Sequence, residues 1–416
     1  MTTPAPRATP AAPVSPRGRL VEYLDRSQPE VQHLLEHGWC IVRVFSEEDA
    51  ARFRDGVWAD LGSLGTGIRY KDASTLTKAS WPGAPRGLIQ SAGTGLWPSH
   101  AAAANAAEPT MKRLFGDETL GRAWDALGFM KPDQVKRYCK GGDDKEVPGI
   151  SNWLHTDDAP PRTRNGLLHW TQMVIALEPV EHGDIGTQII GAPPGMGAQE
   201  FCDRFYARFP DQGPDPKKLM NKGKGTACQR NGQVDHTREE KEWLKEHGVP
   251  VKPNLRPGEA VVWCSRMPHA NFAEDAGDKE RNWRTAVLTN YIPVKCFYPK
   301  ELAKRREMAE NPKTSGHQVV CPGALFAKNG ALAQQTFGIA PNMYGGPPKD
   351  GFDYKSDALP VMRGFKRHAR PYEEWTAEER ADKYSPDVNP ELYKVHRDTA
   401  RLCFGYQPRK AARAAE

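Results

Sequence analysis

Apolar positions recur at helical spacing over VEYLDRSQPEVQHLLEHG, residues 21–38, and predict a helix there. The next stretch, GWCIVRVF, changes to a period of two. Cys40, Val42 and Val44 alternate with Ile41 and Arg43, which predicts a strand with two unlike faces. Ser46 then precedes Glu47, Glu48 and Asp49 and a run apolar at helical spacing, so SEEDAARFRDGVWADLGSLG predicts an N-capped helix. Residues 62–100 are rich in Gly, Pro, Ser and Trp and predict long loops. An alanine-rich start and MKRLFGDETLGRAWDALGF return the pattern to helix over 101–130.

From about residue 131 the texture is short β-like runs separated by turn signals: DQVKRYC, LLHWTQMVIALEPV, IGTQIIGAP, EAVVWCS and RTAVLTNYIPV. Strands following helices predict an α+β domain on a sandwich or barrel. Charged, helix-prone sequence over 198–250 interrupts the strands and reads as an insert or lid. Beyond 300 the chain predicts a helix at PKELAKRREMAEN, a Gly/Pro-rich section, and a last helix at NPELYKVHRDTARLCFG. The organisation expected is a disordered Pro/Ala-rich leader over 1–18, a domain over 19–300, and a C-terminal extension over 301–416 packed on the core.

Composition narrows the class. Of 416 residues, 38% are hydrophobic and 26% charged, a balance that predicts a soluble globular protein. No run of eighteen apolar residues occurs, so no membrane span of the helical kind is expected. The net charge of +6 is too thin over this length to indicate nucleic-acid binding, although it does not exclude it. The eight cysteines form no C-x-x-C pair, which predicts reduced thiols in a cytoplasmic protein and no thiolate zinc site.

The candidate chemistry begins at WLHTDDAP. In an extended strand, His155 and Asp157 point to one face, so an imidazole and a carboxylate converge. Taken alone, His-Thr-Asp also fits a surface turn. A second imidazole would complete a two-His-one-carboxylate facial triad with open positions for a cosubstrate and O2. LRPGEAVVWCSRMPHANF offers it: a turn, then an apolar strand ending near His269. A polar hairpin-like loop follows, then WRTAVLTNYIP, with Arg284 among apolar residues. A buried Arg needs an anion; an ordinary structural ion pair would serve as well as a ligand carboxylate. The order H-x-D, His, Arg favours the joint reading. Arg281 lies in a charged loop and reads as solvated, His182 as exposed, and His169 as locally bonded. Asp158 has the wrong strand parity, Gln90 reads as a turn residue, and KGKG at 222–225 as a loop.

These segments resemble the phytanoyl-CoA dioxygenase-like branch of the Fe(II)/2-oxoglutarate oxygenases. PGEAVVWCSRMPHAN is similar to that family's G-D-x-V-x-W-D-S-R-x-x-H segment, and WRTAVLTNYIP to its Arg-led strand. VIALEPVEHGDIGTQIIGAPPG and EHGWCIVRVFSEEDAARFRDGVWADL resemble its hairpin and its opening. The resemblance covers roughly residues 30–300. It implies a double-stranded β-helix (jelly-roll, cupin-like) core with flanking helices, and Fe(II), 2-oxoglutarate and O2 as cofactor and cosubstrates. His155, Asp157 and His269 would then be metal ligands, and Arg284 would bind the distal carboxylate of 2-oxoglutarate. Asn271 and Lys136 would line the same pocket. Retention of Asp157 argues against halogenation. Cys264, Val174 and Met196 depart from the family pattern, leaving the substrate class open. The expected activity is hydroxylation of a small organic substrate with release of succinate and CO2. The alternatives are an oxygenase of nucleic-acid bases or protein side chains, and a non-enzymatic binding module.

Overall fold

The computed structural model describes residues 21–63, 68–75, 88–89, 94–116, 118–123, 125–130, 147–157, 171–209, 234–274, 280–297, 372–382 and 385–404. The 1–18 leader, Gln90, Lys136, Asp158, His169, KGKG and the expected helix PKELAKRREMAEN lie outside these residues.

The first helix is shorter than its periodicity predicts. It runs Pro29–His37 (α1), because Pro29 lacks an N–H and fits only the first turn, while Gln28 before it is held extended. Gly38 ends it at φ 84, a left-handed conformation that glycine adopts without a Cβ penalty. Trp39–Arg43 (β1) follows, then Glu47–Ser63 (α2), capped as expected by Ser46 Oγ, which accepts from the Asp49 N–H at 3.1 Å.

The helix expected over 101–130 is corrected. Pro98–Leu114 (α3) is helical, but Gly116 turns the chain at φ 59. Leu120–Arg122 (β3) and Leu127–Met130 (β4) are strands, with Leu88–Ile89 (β2) pairing beside β4. Helical spacing in LGRAWDALGF is overridden by pairing partners distant in sequence. The remaining strands are His155–Thr156 (β5), Thr171–Ala176 (β6), Gly186–Gly191 (β7), Val234–Asp235 (β8), Val249–Val251 (β9), Glu259–Cys264 (β10), His269–Phe272 (β11), Arg284–Thr289 (β12) and Tyr291–Pro293 (β13). Between them lie Ala198–Arg208 (α4) and Arg238–His247 (α5); Ala377–Arg380 (α6) and Pro390–Phe404 (α7) come last.

Among the described residues the strands form a six-stranded sheet, β1-β10-β6-β12-β4-β2, a five-stranded sheet, β8-β5-β11-β7-β9, and the small pair β13-β3. Every pairing in them is antiparallel. From β4 to β7, and again from β9 to β12, each strand lies in the opposite main sheet to the one before it. Two sequence expectations are thereby corrected. The strand AVVWC stops at Cys264, and His269 opens a new strand in the other sheet, because Pro268 and the turn before it break the ladder. WRTAVLTNYIP likewise divides into β12 and β13, which belong to different sheets.

Strands β6, β7 and β12 are buried at every residue. Such strands have both faces covered, which explains their continuous apolar texture. Helix α2 covers the outer face of β12: Trp58 Nε1 donates to Thr285 Oγ1 at 3.1 Å. Helix α7 of the C-terminal extension lies on α3, where Asn105 Nδ2 donates to the Val395 carbonyl at 3.1 Å. The described part of 198–250 contributes β8 and β9 to the two edges of the five-stranded sheet. No described helix is long and apolar enough to cross a membrane. The described cysteines Cys40, Cys202, Cys264 and Cys296 are buried free thiols, and burial pushes Cys40 and Cys202 up to about 12.

Candidate metal centre

Register brings the candidate ligands together. His269 of β11 pairs directly with His155 of β5. Cross-strand partners point the same way, so the imidazoles lie side by side, with ring centroids 4.5 Å apart. Asp157 is two residues beyond His155 and shares its face. Its Oδ1 is 3.7 Å from His155 Nε2 and its Oδ2 is 3.3 Å from His269 Nε2. One donor atom from each of the three residues lies within 4.8 Å of the others.

Both imidazoles are oriented in the same way. His155 Nδ1 donates to the Trp153 carbonyl at 2.8 Å, and His269 Nδ1 donates to the Met267 carbonyl at 2.9 Å. Each ring thus donates from Nδ1 to the carbonyl two residues upstream and turns Nε2, the nitrogen left for a metal, toward Asp157. That is the tautomer a metal requires. Trp153 stacks on His155 at 4.5 Å, and Trp263 tilts against His269 at 4.9 Å. Exposure is 4% for His155, 7% for Asp157 and 6% for His269. Donor atoms about 2.1 Å from one divalent ion stand roughly 3 Å apart in adjacent octahedral positions. The spacings of Asp157 from the two imidazoles, 3.7 and 3.3 Å, lie close to that requirement. Two imidazoles and a carboxylate converging in this way are a donor set that fits an Fe(II) ion.

Arg284 opens β12 in the facing sheet and points across to this face. Its Nη1 donates to Asn271 Oδ1 at 2.6 Å, and its Nη2 to Thr187 Oγ1 at 3.4 Å. Asn271 and Thr187 are themselves partners in the β11–β7 register, which sets these two acceptors side by side. Asn271 shares the face of His269, two residues on, which links the Arg to the ligand strand.

A pocket partly open to solvent runs beside these groups. His155, His269, Arg284, Asn271 and Thr187 line it, with Trp153, Trp263, Val174, Leu288, Gln172, Asp125 and Asn290. Among the described lining residues Arg284 is the one cation. Sequence reasoning missed Gln172, whose Nε2 donates to Asp157 Oδ2 at 2.6 Å. It also missed Ser151 and Gln188. Ser151 Oγ donates to the Asn271 carbonyl at 2.8 Å, and Gln188 Oε1 accepts from the Ser151 N–H at 2.9 Å. Their partners are set by register, so no local motif could have marked them.

Arg281 is corrected from a solvated residue to a structural one. Its Nε donates to the Gly183 carbonyl at 2.6 Å, and its Nη2 to the Glu274 carbonyl at 3.1 Å. His182 is exposed, as expected.

No protein-family model and no curated protein matches the chain. Solved structures give remote likenesses. SnoK, a non-heme alpha ketoglutarate dependent carbocyclase from nogalamycin biosynthesis, is 16% identical over 66% of this chain and 86% of its own, with a TM-score of 0.34. EctD from S. alaskensis, solved with bound Fe, is 14% identical over 69% and 82%, with a TM-score of 0.36. GlcNAc Inducible Gene 2 from Candida albicans is 11% identical over 94% and 85%, with a TM-score of 0.41.

Proposed function

We propose that the chain is a non-haem iron(II), 2-oxoglutarate-dependent oxygenase that hydroxylates a small organic substrate. The observation that carries this reading is the convergence of His155, Asp157 and His269 within 4.8 Å, beside a cavity that also holds buried Arg284. The strand order supports the fold that goes with it. β4-β12-β6-β10 facing β5-β11-β7-β9, with consecutive strands crossing between sheets, is the pattern of a double-stranded β-helix.

In this reading His155, Asp157 and His269 would be the residues that hold Fe(II). Iron with 2-oxoglutarate and O2 supplies the oxidising chemistry: one oxygen atom enters a substrate C–H bond as hydroxyl, and the other leaves in succinate, with CO2. Arg284 takes the distal carboxylate of 2-oxoglutarate through its paired N–H groups. Asn271 orients that guanidinium instead of serving chiefly as a direct contact, since its carboxamide oxygen is already bonded to it. Lys136 belongs to the same proposed pocket. Trp153, Trp263 and Leu288 keep the walls apolar and limit water. The phytanoyl-CoA dioxygenase-like branch is the family this reading favours.

The test is succinate release from 2-oxoglutarate with Fe(II) under air, screened against a panel of small organic substrates. His155→Ala and Asp157→Ala should each abolish it. Full activity in either variant would overturn the assignment.

A further inference from the structure

The strand that carries His155 and leads into Asp157 is short. β5 comprises His155 and Thr156, and a ladder of that length holds a strand weakly. What lies behind it has the form of a brace. Thr156 points away from the metal face and is fully buried. Its hydroxyl lies 3.0 Å from His236 Nε2, and His236 Nδ1 lies 3.3 Å from Glu240 Oε2. A carboxylate only accepts, so Nδ1 carries the ring proton and Nε2 accepts from the Thr156 hydroxyl. Burial pushes His236 below its usual range and keeps the ring neutral, consistent with that arrangement.

Glu240 is fixed in turn. It is the third residue of α5 in a capping box, where its Oε2 accepts from the Thr237 N–H at 2.7 Å. The next residue, Lys241, is 1% exposed and donates Nζ to the Asn152 carbonyl at 2.7 Å. The His236 N–H donates to the Leu154 carbonyl at 3.0 Å, and β8 pairs with β5 at Asp235↔His155. Residues 152, 154 and 156 are thus each tied to the first turn of α5 or to the strand leading into it. Residues 155 and 157 point the other way, to the metal face.

We infer that β8 and the first turn of α5 form a positioning element for the metal centre, in which Thr156, His236, Glu240 and Lys241 set the direction of His155 and Asp157. The inference rests on the metal-centre reading above. The described end of the 198–250 segment thereby acquires a role in the site, since it stiffens the ligand strand from behind. Thr156, the middle residue of H-x-D, is a positioning residue and touches neither metal nor substrate.

Co(II) is the probe, because its visible absorption reports coordination without turnover. Groups that orient metal ligands change affinity 10- to 100-fold, so Thr156→Val should raise the Co(II) Kd about tenfold and alter the Co(II) spectrum, while Thr156→Ser, which keeps the hydroxyl, restores both. A Thr156→Val protein that melts earlier yet keeps the unsubstituted Kd and spectrum would overturn the inference. Should Thr156→Val not fold, Lys241→Gln carries the same expectation and the same refutation. Failure of the unsubstituted protein to bind Co(II) would instead overturn the metal-centre reading itself, and the inference with it.

Discussion

Arg284 offers the sharpest prediction about the cosubstrate. It is 5% exposed, and hydrogen bonds run from it to Asn271 Oδ1 and Thr187 Oγ1. A 2-oxoglutarate carboxylate reaching it would make a desolvated charge pair. Removing one member of such a pair costs about 2–5 kcal/mol, because the other charge stays buried without its partner. At 1.4 kcal/mol per decade, a cost of about 3 kcal/mol is roughly a 100-fold weaker Kd. Arg284→Gln should therefore weaken 2-oxoglutarate binding about 100-fold or more, while Arg284→Lys, keeping the charge but losing the planar fork, should weaken it about tenfold. The assay is anaerobic calorimetric titration of 2-oxoglutarate into Fe(II)-loaded protein, with metal affinity measured in parallel. Arg284 is not among the ligands, so metal affinity should hold. A 2-oxoglutarate Kd within about threefold of the unsubstituted value in Arg284→Gln, well under one decade, would refute the assigned role.

Two further outcomes follow from particular contacts. Gln172→Leu removes the bond to Asp157 Oδ2 and should lower Co(II) affinity by about tenfold, with the fold retained in circular dichroism; unchanged affinity would show that Asp157 is oriented without it. His100 is fully buried, and desolvation, aided by the Arg122 charge, pushes it down to about 3. Since the unfolded chain then binds more protons below the usual histidine range, its contribution to stability is complete above about pH 6.5 and is lost progressively toward pH 3. The loss is at most about 1.4 kcal/mol per pH unit for this one proton. His236, also lowered by burial, adds to the same trend. Urea midpoints measured from pH 7 to pH 4 should fall less steeply in His100→Gln, and an unchanged slope would exclude His100 as the source.

Much of the site was legible in the chain itself. His155 and Asp157 stand two apart, a spacing that any extended backbone turns to one face. Arg284 stands among apolar residues, which marks a buried charge in need of a partner. The apolar run before His269 marks a strand near it. Patterns of this kind are local, and they survive whatever the rest of the molecule does.

What local pattern could not carry was partnership. That His269 opens a strand in the opposite sheet depends on the break at Pro268 and on pairing with both β5 and β7. The helical spacing after Gly116 gave way to strands because β12 and β13 were available as neighbours. Gln172 meets Asp157, Asn271 meets Arg284, and His236 meets Thr156 through register and sheet packing, across separations that periodicity does not see. Residue order along the chain thus specified which groups could make a metal centre and on what kind of element they sit. Which side chains orient those groups was left to the folded molecule, because hydrogen bonds between distant strands exist only once the two sheets have closed on each other.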